Sequence, residues 1–104
     1  MDKNLLNNET ERIFRDLSGI IYRLFQIDPA CIDINTKVYE EGLYLNSLQL
    51  IELTIGIEEF YDFVFEYELL TGDNFKSISA IISTIQLKLT YPNPNVGESL
   101  QDRT

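Results

Sequence analysis

Histidine and tryptophan are absent from the 104 residues, and cysteine occurs once, at Cys31. Without histidine the chain lacks the commonest general base and the commonest metal ligand. A lone cysteine makes no internal disulfide and offers no ligand set for a thiolate zinc or iron–sulfur site, so no metal site is expected. Basic residues are also scarce: eight Lys and Arg stand against 17 Asp and Glu, a net charge of −9. That deficit argues against nucleic acid, whose phosphates the chain has little to neutralise, and against anionic membrane surfaces. No apolar run approaches the ~20 residues of a membrane span. The first residues, rich in Asn and Glu, do not read as a secretory leader, and a reduced, cytoplasmic compartment is the expectation. No Gly-rich phosphate loop or calcium loop occurs among the glycines and carboxylates. For an enzyme the chain is poor in chemistry.

What is present is enough apolar material, 44% of residues, for one core and one domain. Residues 1–8 read as a flexible N-terminus. A first helix is expected over residues 9–25, with Asn8 as a candidate cap and an apolar stripe of Ile13, Leu17, Ile20, Ile21 and Leu24. Gly19 in its middle suggests close approach of a neighbour. Asp28-Pro29 closes that helix. A long loop then runs to Asn46 through spaced apolar anchors, among them Ile32, Ile34, Val38, Leu43 and Leu45. Cys31 reads as a small buried or half-buried apolar residue of that loop.

From Ser47 the period changes. Leu50, Leu53, Ile57 and Phe60 recur at helical steps, with Ile51 and Ile55 beside them and Gln49, Glu52, Gly56 and Glu59 as a polar stripe. This second helix is expected to end near Tyr61, after which Phe63 and Phe65 drop into the core. A short third helix is expected over residues 66–71, closed by Gly72. Ser77 should cap a fourth, whose stripe is Ile78, Ile81, Ile82, Ile85 and Leu89. The domain is therefore placed at residues 9–89, with residues 90–104, rich in Pro and Asn, as a disordered tail. The fold class expected is all-α: a four-helix bundle with a short third helix and a long first loop.

Two features stand out. Asn46 and Ser47 are both good N-cap residues, so a cap is the plain reading of Ser47. Between Lys37 and Lys76 the chain holds nine acidic residues and no Lys or Arg. Such a block keeps a small protein soluble, but it also makes a docking face for basic partners.

The stretch Gly42-Leu43-Tyr44-Leu45-Asn46-Ser47-Leu48 resembles the Gly-hydrophobic-Asp-Ser-Leu attachment signature of acyl carrier proteins. The likeness continues through Glu52-Leu53, Ile57-Glu58-Glu59 and Tyr61-Asp62-Phe63-Val64-Phe65, and ends at Phe75-Lys76-Ser77-Ile78. The resemblance implies a non-catalytic, stand-alone carrier, acting as a monomer. It makes Ser47 the anchor of a covalent 4′-phosphopantetheine arm, added by a separate phosphopantetheinyl transferase. It implies acyl cargo held as a thioester and shuttled between biosynthetic enzymes in fatty-acid-like, polyketide or other specialised metabolism. Partner enzymes would bring basic patches to Leu48, Ile51, Glu52, Glu58, Glu59 and Asp62, and a cavity between helices two and three, lined near Ile57, Phe63 and Phe65, would shelter the cargo. The residue before the serine is normally Asp in the family, where it helps bind the metal used by the modifying enzyme. Here Asn46 keeps the capping chemistry and loses the charge. The motif lacks the Gly-Gly or His flavour of peptidyl carriers, which favours acyl over aminoacyl cargo. The other readings are a carrier-like interaction module without a prosthetic group, an aminoacyl or peptidyl carrier, and a polyanion mimic. An enzyme using Glu58, Glu59 and Asp62 is disfavoured, because helical neighbours do not converge.

Overall fold

The computed structural model describes residues 2–90, with side chains described from residue 9 onward. Three α-helices carry the fold: α1 (Asp2–Phe25), α2 (Ser47–Tyr61) and α3 (Ile78–Thr90). Helix α1 begins at Asp2, so Asn8 lies inside it and does not cap it. Ile13, Leu17, Ile20 and Ile21 are all buried along its inner face. The helix stops before the proline arrives. Gln26 turns left-handed at φ 62°, and its N–H donates to the Tyr22 carbonyl at 2.8 Å. Asp28 then caps a 3-10 turn, Pro29–Cys31, by accepting from the Ala30 N–H.

The α1–α2 crossing is set by Gly56, not by Gly19. A Cβ on Gly56 would lie 3.0 Å from Leu24 Cδ1 and 3.2 Å from Ile20 Cγ2. One on Gly19 would meet nothing within 4 Å. Gly56 thus leaves the polar stripe expected for it and is buried, because the Leu24 and Ile20 side chains of α1 pack into the space its missing side chain leaves. Leu53 and Ile57 flank it in the core, whereas Phe60, Ile51 and Ile55 are exposed.

The segment expected as a short third helix contains no α-helix. It is a 3-10 turn, Tyr67–Leu69, followed by a second, Asp73–Phe75. Phe63 and Phe65 are buried in extended chain on either side of exposed Val64, as their alternation requires. That leaves too few residues before Gly72 to offset the cost of nucleating a helix. Phe65 stacks edge-on against Phe63 at 5.1 Å and against Phe75 at 5.6 Å. Helix α3, capped by Ser77 Oγ accepting from the Ala80 N–H at 3.1 Å, buries Ile78, Ile81, Ile82 and Ile85. Each such side chain contributes about 1.5–3 kcal/mol of burial. Lys88 is buried in register with them. Its ammonium meets both oxygens of Glu66 at 3.0 Å and lies 5.7 Å from the centre of the Phe63 ring. This contact holds the 3-10 segment against α3. The tail expected to be disordered lies outside the described residues.

Candidate functional site

Residues 26–46 form an anchored loop. The N–H groups of Ile78 and Ser79 donate to the carbonyls of Thr36 and Ile34, and Val38 N–H donates to Lys76 O, all at 2.9 Å. Lys37 and Ser77 form an isolated antiparallel bridge, so this stretch finds a partner at the start of α3. Further along, Leu43 N–H donates to Lys37 O at 2.8 Å, Tyr44 N–H to Tyr39 O at 2.8 Å and Leu45 N–H to Val38 O at 3.0 Å. Glu41 and Tyr44 sit left-handed, at φ 63° and 56°, each a conformation that costs roughly 1–2 kcal/mol. The burial of Val38 and Leu45 on either side holds them there. Cys31, expected to be at least half-buried, is exposed on its 3-10 turn, since Ile32 fills the core position beside it.

The loop delivers the chain to the N-terminus of α2, and there the cap is Asn46. Its Oδ1 accepts from the Gln49 N–H at 2.8 Å, and Gln49 Oε1 accepts from the Asn46 N–H at 3.0 Å. This reciprocal pair is a capping box. Ser47 is therefore the first helical residue and is exposed. Its hydroxyl is not the cap.

One exposed strip of α2 carries Leu48, Ile51, Glu52, Ile55 and Glu59, with Asp62 at the helix end. Leu48 is 65% exposed and Ile51 55% exposed, beside Tyr44 at 69%. Apolar side chains this open, next to carboxylates, form a surface suited to a partner. Asp62 is the C-cap, left-handed at φ 59°, with its N–H donating to the Glu58 carbonyl. Glu58 departs from the sequence expectation. It is half-buried, rotated off the strip, and its Oε2 accepts the Phe65 N–H at 2.9 Å. That bond fixes the chain where it turns into the core.

The groove lies between α2 and the segment expected as the third helix, but its lining differs from the expected one. Ile57, Phe63 and Phe65 are packed into the core and do not line the groove along α2. Instead, the groove, of about 440 Å³, runs along α2 between Leu50, Ile51, Thr54, Ile55 and Glu58 on one side and Tyr39, Leu70 and Phe75 on the other. Larger hollows of about 760 and 540 Å³ flank the loop near Lys37, but neither includes a residue of α2. The Tyr39 hydroxyl is pushed above its ordinary value by burial and then by the Asp73 charge. Glu66 is held below the usual carboxylate range, first by its hydrogen bonds from Lys88. The Tyr61 hydroxyl, raised by burial and then by donating to Asp16 at 2.8 Å, ties α2 to α1. Among the described residues no group of three or more His, Cys, Asp or Glu is placed to hold a metal ion. No described helix is long and apolar enough to cross a membrane.

Sequence reasoning missed Glu58 as a groove residue, Gln49 as half of the capping box, and the buried Lys88. The Asn-x-x-Gln spacing was visible, and so was the register of Lys88 with Ile81 and Ile85. Nothing local signals Glu58.

No protein-family model matches the chain, and no curated protein does. Solved structures do. The chain superposes with TM-score 0.64 and 30% identity, over 72% of its length and 97% of the other chain, on a structure of an engineered Bradyrhizobium japonicum glycine:carrier protein ligase complexed with a carrier protein from Agrobacterium tumefaciens and ATP. It matches a complex of the B. japonicum ligase with its cognate carrier protein and a glycyl adenylate analogue, with TM-score 0.57 and 23% identity over 75% and 96% of the two chains. A complex of that ligase with glycylated carrier protein gives TM-score 0.54 and 24% identity over 72% and 96%. The latter two show the fold alone. Because nearly all of each matched chain fits within about three-quarters of this one, the matched chains are small. In fold the chain resembles a small carrier protein.

Proposed function

We propose that this chain is a non-catalytic acyl carrier protein, monomeric and cytoplasmic, that bears a 4′-phosphopantetheine arm on Ser47. The observation that carries the reading is the division of labour at the start of α2. Asn46 and Gln49 satisfy the helix terminus, which leaves the Ser47 hydroxyl exposed and free for a phosphopantetheinyl transferase. The residues fit the group. A phosphodiester on Ser47 sits at a helix N-terminus, where backbone N–H groups and the helix dipole favour negative charge. When attached, the arm supplies a thiol that carries cargo as a thioester. The protein's own part is presentation. The anchored loop fixes Ser47 in place, while Leu48 and Ile51 offer apolar contacts beside it. Glu52, Glu59 and Asp62 steer basic partners to fast, reversible encounters.

A second reading, aminoacyl cargo, is supported by the comparison at 30% identity, a structure of a glycine:carrier protein ligase complexed with a carrier protein. Both readings use Ser47 in the same way. The test is the Ser47→Ala variant incubated with coenzyme A and a broad-specificity transferase. Its urea midpoint should match wild type, because Ser47 caps nothing, and it should gain no mass where wild type gains one phosphopantetheinyl group. Equal mass gain in both proteins would sink the assignment. No gain in either, including with a cognate transferase, would leave a docking module without a prosthetic group.

A further inference from the structure

Ser47, Ile51, Thr54 and Glu58 follow one another at steps of four, three and four along α2. At 3.6 residues per turn, Ser47 and Glu58 differ by only about 20° around the helix axis. The groove opens on α2 at Leu50 and Ile51, in line with Ser47, and Glu58 stands about 16 Å along the axis from Ser47. An extended phosphopantetheine arm is roughly five peptide units long, about 17 Å, so the free end of such an arm falls at the level of Glu58.

Glu58 is an odd residue to find there. Apart from it the groove is lined by apolar and neutral side chains, and no Lys or Arg lines it. Oε2 accepts the Phe65 N–H. Covering this half-buried carboxylate with a neutral alkyl chain would strip its remaining water and give nothing in return. A protonated amine in the same place would supply a charge-assisted hydrogen bond. Tyr39, the other titratable group lining the groove, donates its hydroxyl to Gly72 O at 3.5 Å and brings no positive charge.

We propose that Glu58 is a specificity residue: its carboxylate pairs with the amine of an aminoacyl group carried on Ser47, so the groove takes short amino-bearing cargo in preference to alkyl chains. The inference rests on the carrier reading and chooses among its cargoes. The 30% identity to a structure of a glycine:carrier protein ligase complexed with a carrier protein points the same way.

The test loads wild-type protein with two hydrolysis-resistant, amide-linked arms of equal size, one ending in glycyl and one in propionyl. Intact mass first verifies each load. Backbone amide spectra then follow the Phe65 N–H, which reports directly on Glu58. The glycyl arm should move that resonance and the propionyl arm should not. The glycyl amine should also titrate about one unit higher than the same amine in the Glu58→Gln variant, as expected beside an opposite charge. Glutamine keeps an acceptor for the Phe65 N–H; should that variant misfold, the comparison of the two arms on wild-type protein still decides. Equal responses to both arms, or no response to either, would overturn the assignment. A response to propionyl alone would give the groove to neutral acyl chains. Failure to load either arm would show as unchanged mass and would fall on the carrier reading itself.

Discussion

Gly42 is the residue whose replacement should do the most damage for the fewest added atoms. A Cβ built there lands inside the van der Waals envelope of the Lys37 carbonyl group, against backbone that no rotamer change can move. The φ of Gly42 is not left-handed, so the requirement is for space alone. Gly42→Ala must push the 37–45 loop open and weaken three backbone hydrogen bonds: Leu43 to Lys37, Tyr44 to Tyr39 and Leu45 to Val38. At about 1 kcal/mol each, their loss costs about 3 kcal/mol. The matched control is Gly19→Ala in the exposed middle of α1, where the added methyl meets nothing within 4 Å. Helix propensity alone should make that variant more stable by about 0.5–1 kcal/mol. Urea unfolding followed by circular dichroism measures both changes. A Gly42→Ala protein as stable as wild type, with Gly19→Ala unstabilised, would refute the packing argument.

The other variants test single contacts. Asn46→Ala, which removes the α2 cap, should cost about 1 kcal/mol in urea unfolding, whereas Asn46→Asp should hold or raise stability because a carboxylate caps and also favours the helix dipole. Ser18 carries a buried hydroxyl with no hydrogen-bond partner, so Ser18→Ala should raise the melting temperature, by the few degrees that about 1 kcal/mol gives in a domain of this size. Tyr61 is raised above its ordinary value of 10.0, so the fold favours its neutral form. The stability it adds is complete below pH 10.0 and is lost as pH rises above that value. Tyr61→Phe should flatten the alkaline fall in melting temperature; an unchanged slope would remove Tyr61 from that account.

Much of the frame was legible because its causes are local. Ser47 opens α2 and Ser77 caps α3 since cap chemistry and apolar period change together at those points. Phe63 and Phe65 reached the core because alternation places both on one side of extended chain. What escaped depends on partners far away in sequence. Gly56 looked polar by its period, yet α1 crosses there against Ile20 and Leu24. The burial of Lys88 depends on Glu66 and Phe63, both more than 20 residues away in sequence. The expected third helix became 3-10 turns because the buried aromatics before it hold the chain extended. Glu58 read as one more docking carboxylate. Its bond to Phe65 N–H spans seven residues and depends on a turn that local pattern did not show.

The central claim concerns which hydroxyl is modified. The most direct measurement is a peptide-resolved mass spectrum of wild-type protein after incubation with coenzyme A and a phosphopantetheinyl transferase. A single phosphopantetheinyl group on the peptide containing Asn46-Ser47-Leu48, assigned by fragmentation to Ser47, is the predicted result. Modification mapped to another hydroxyl, such as Ser77 or Ser79, or an unmodified Ser47 with a cognate transferase, would contradict the account.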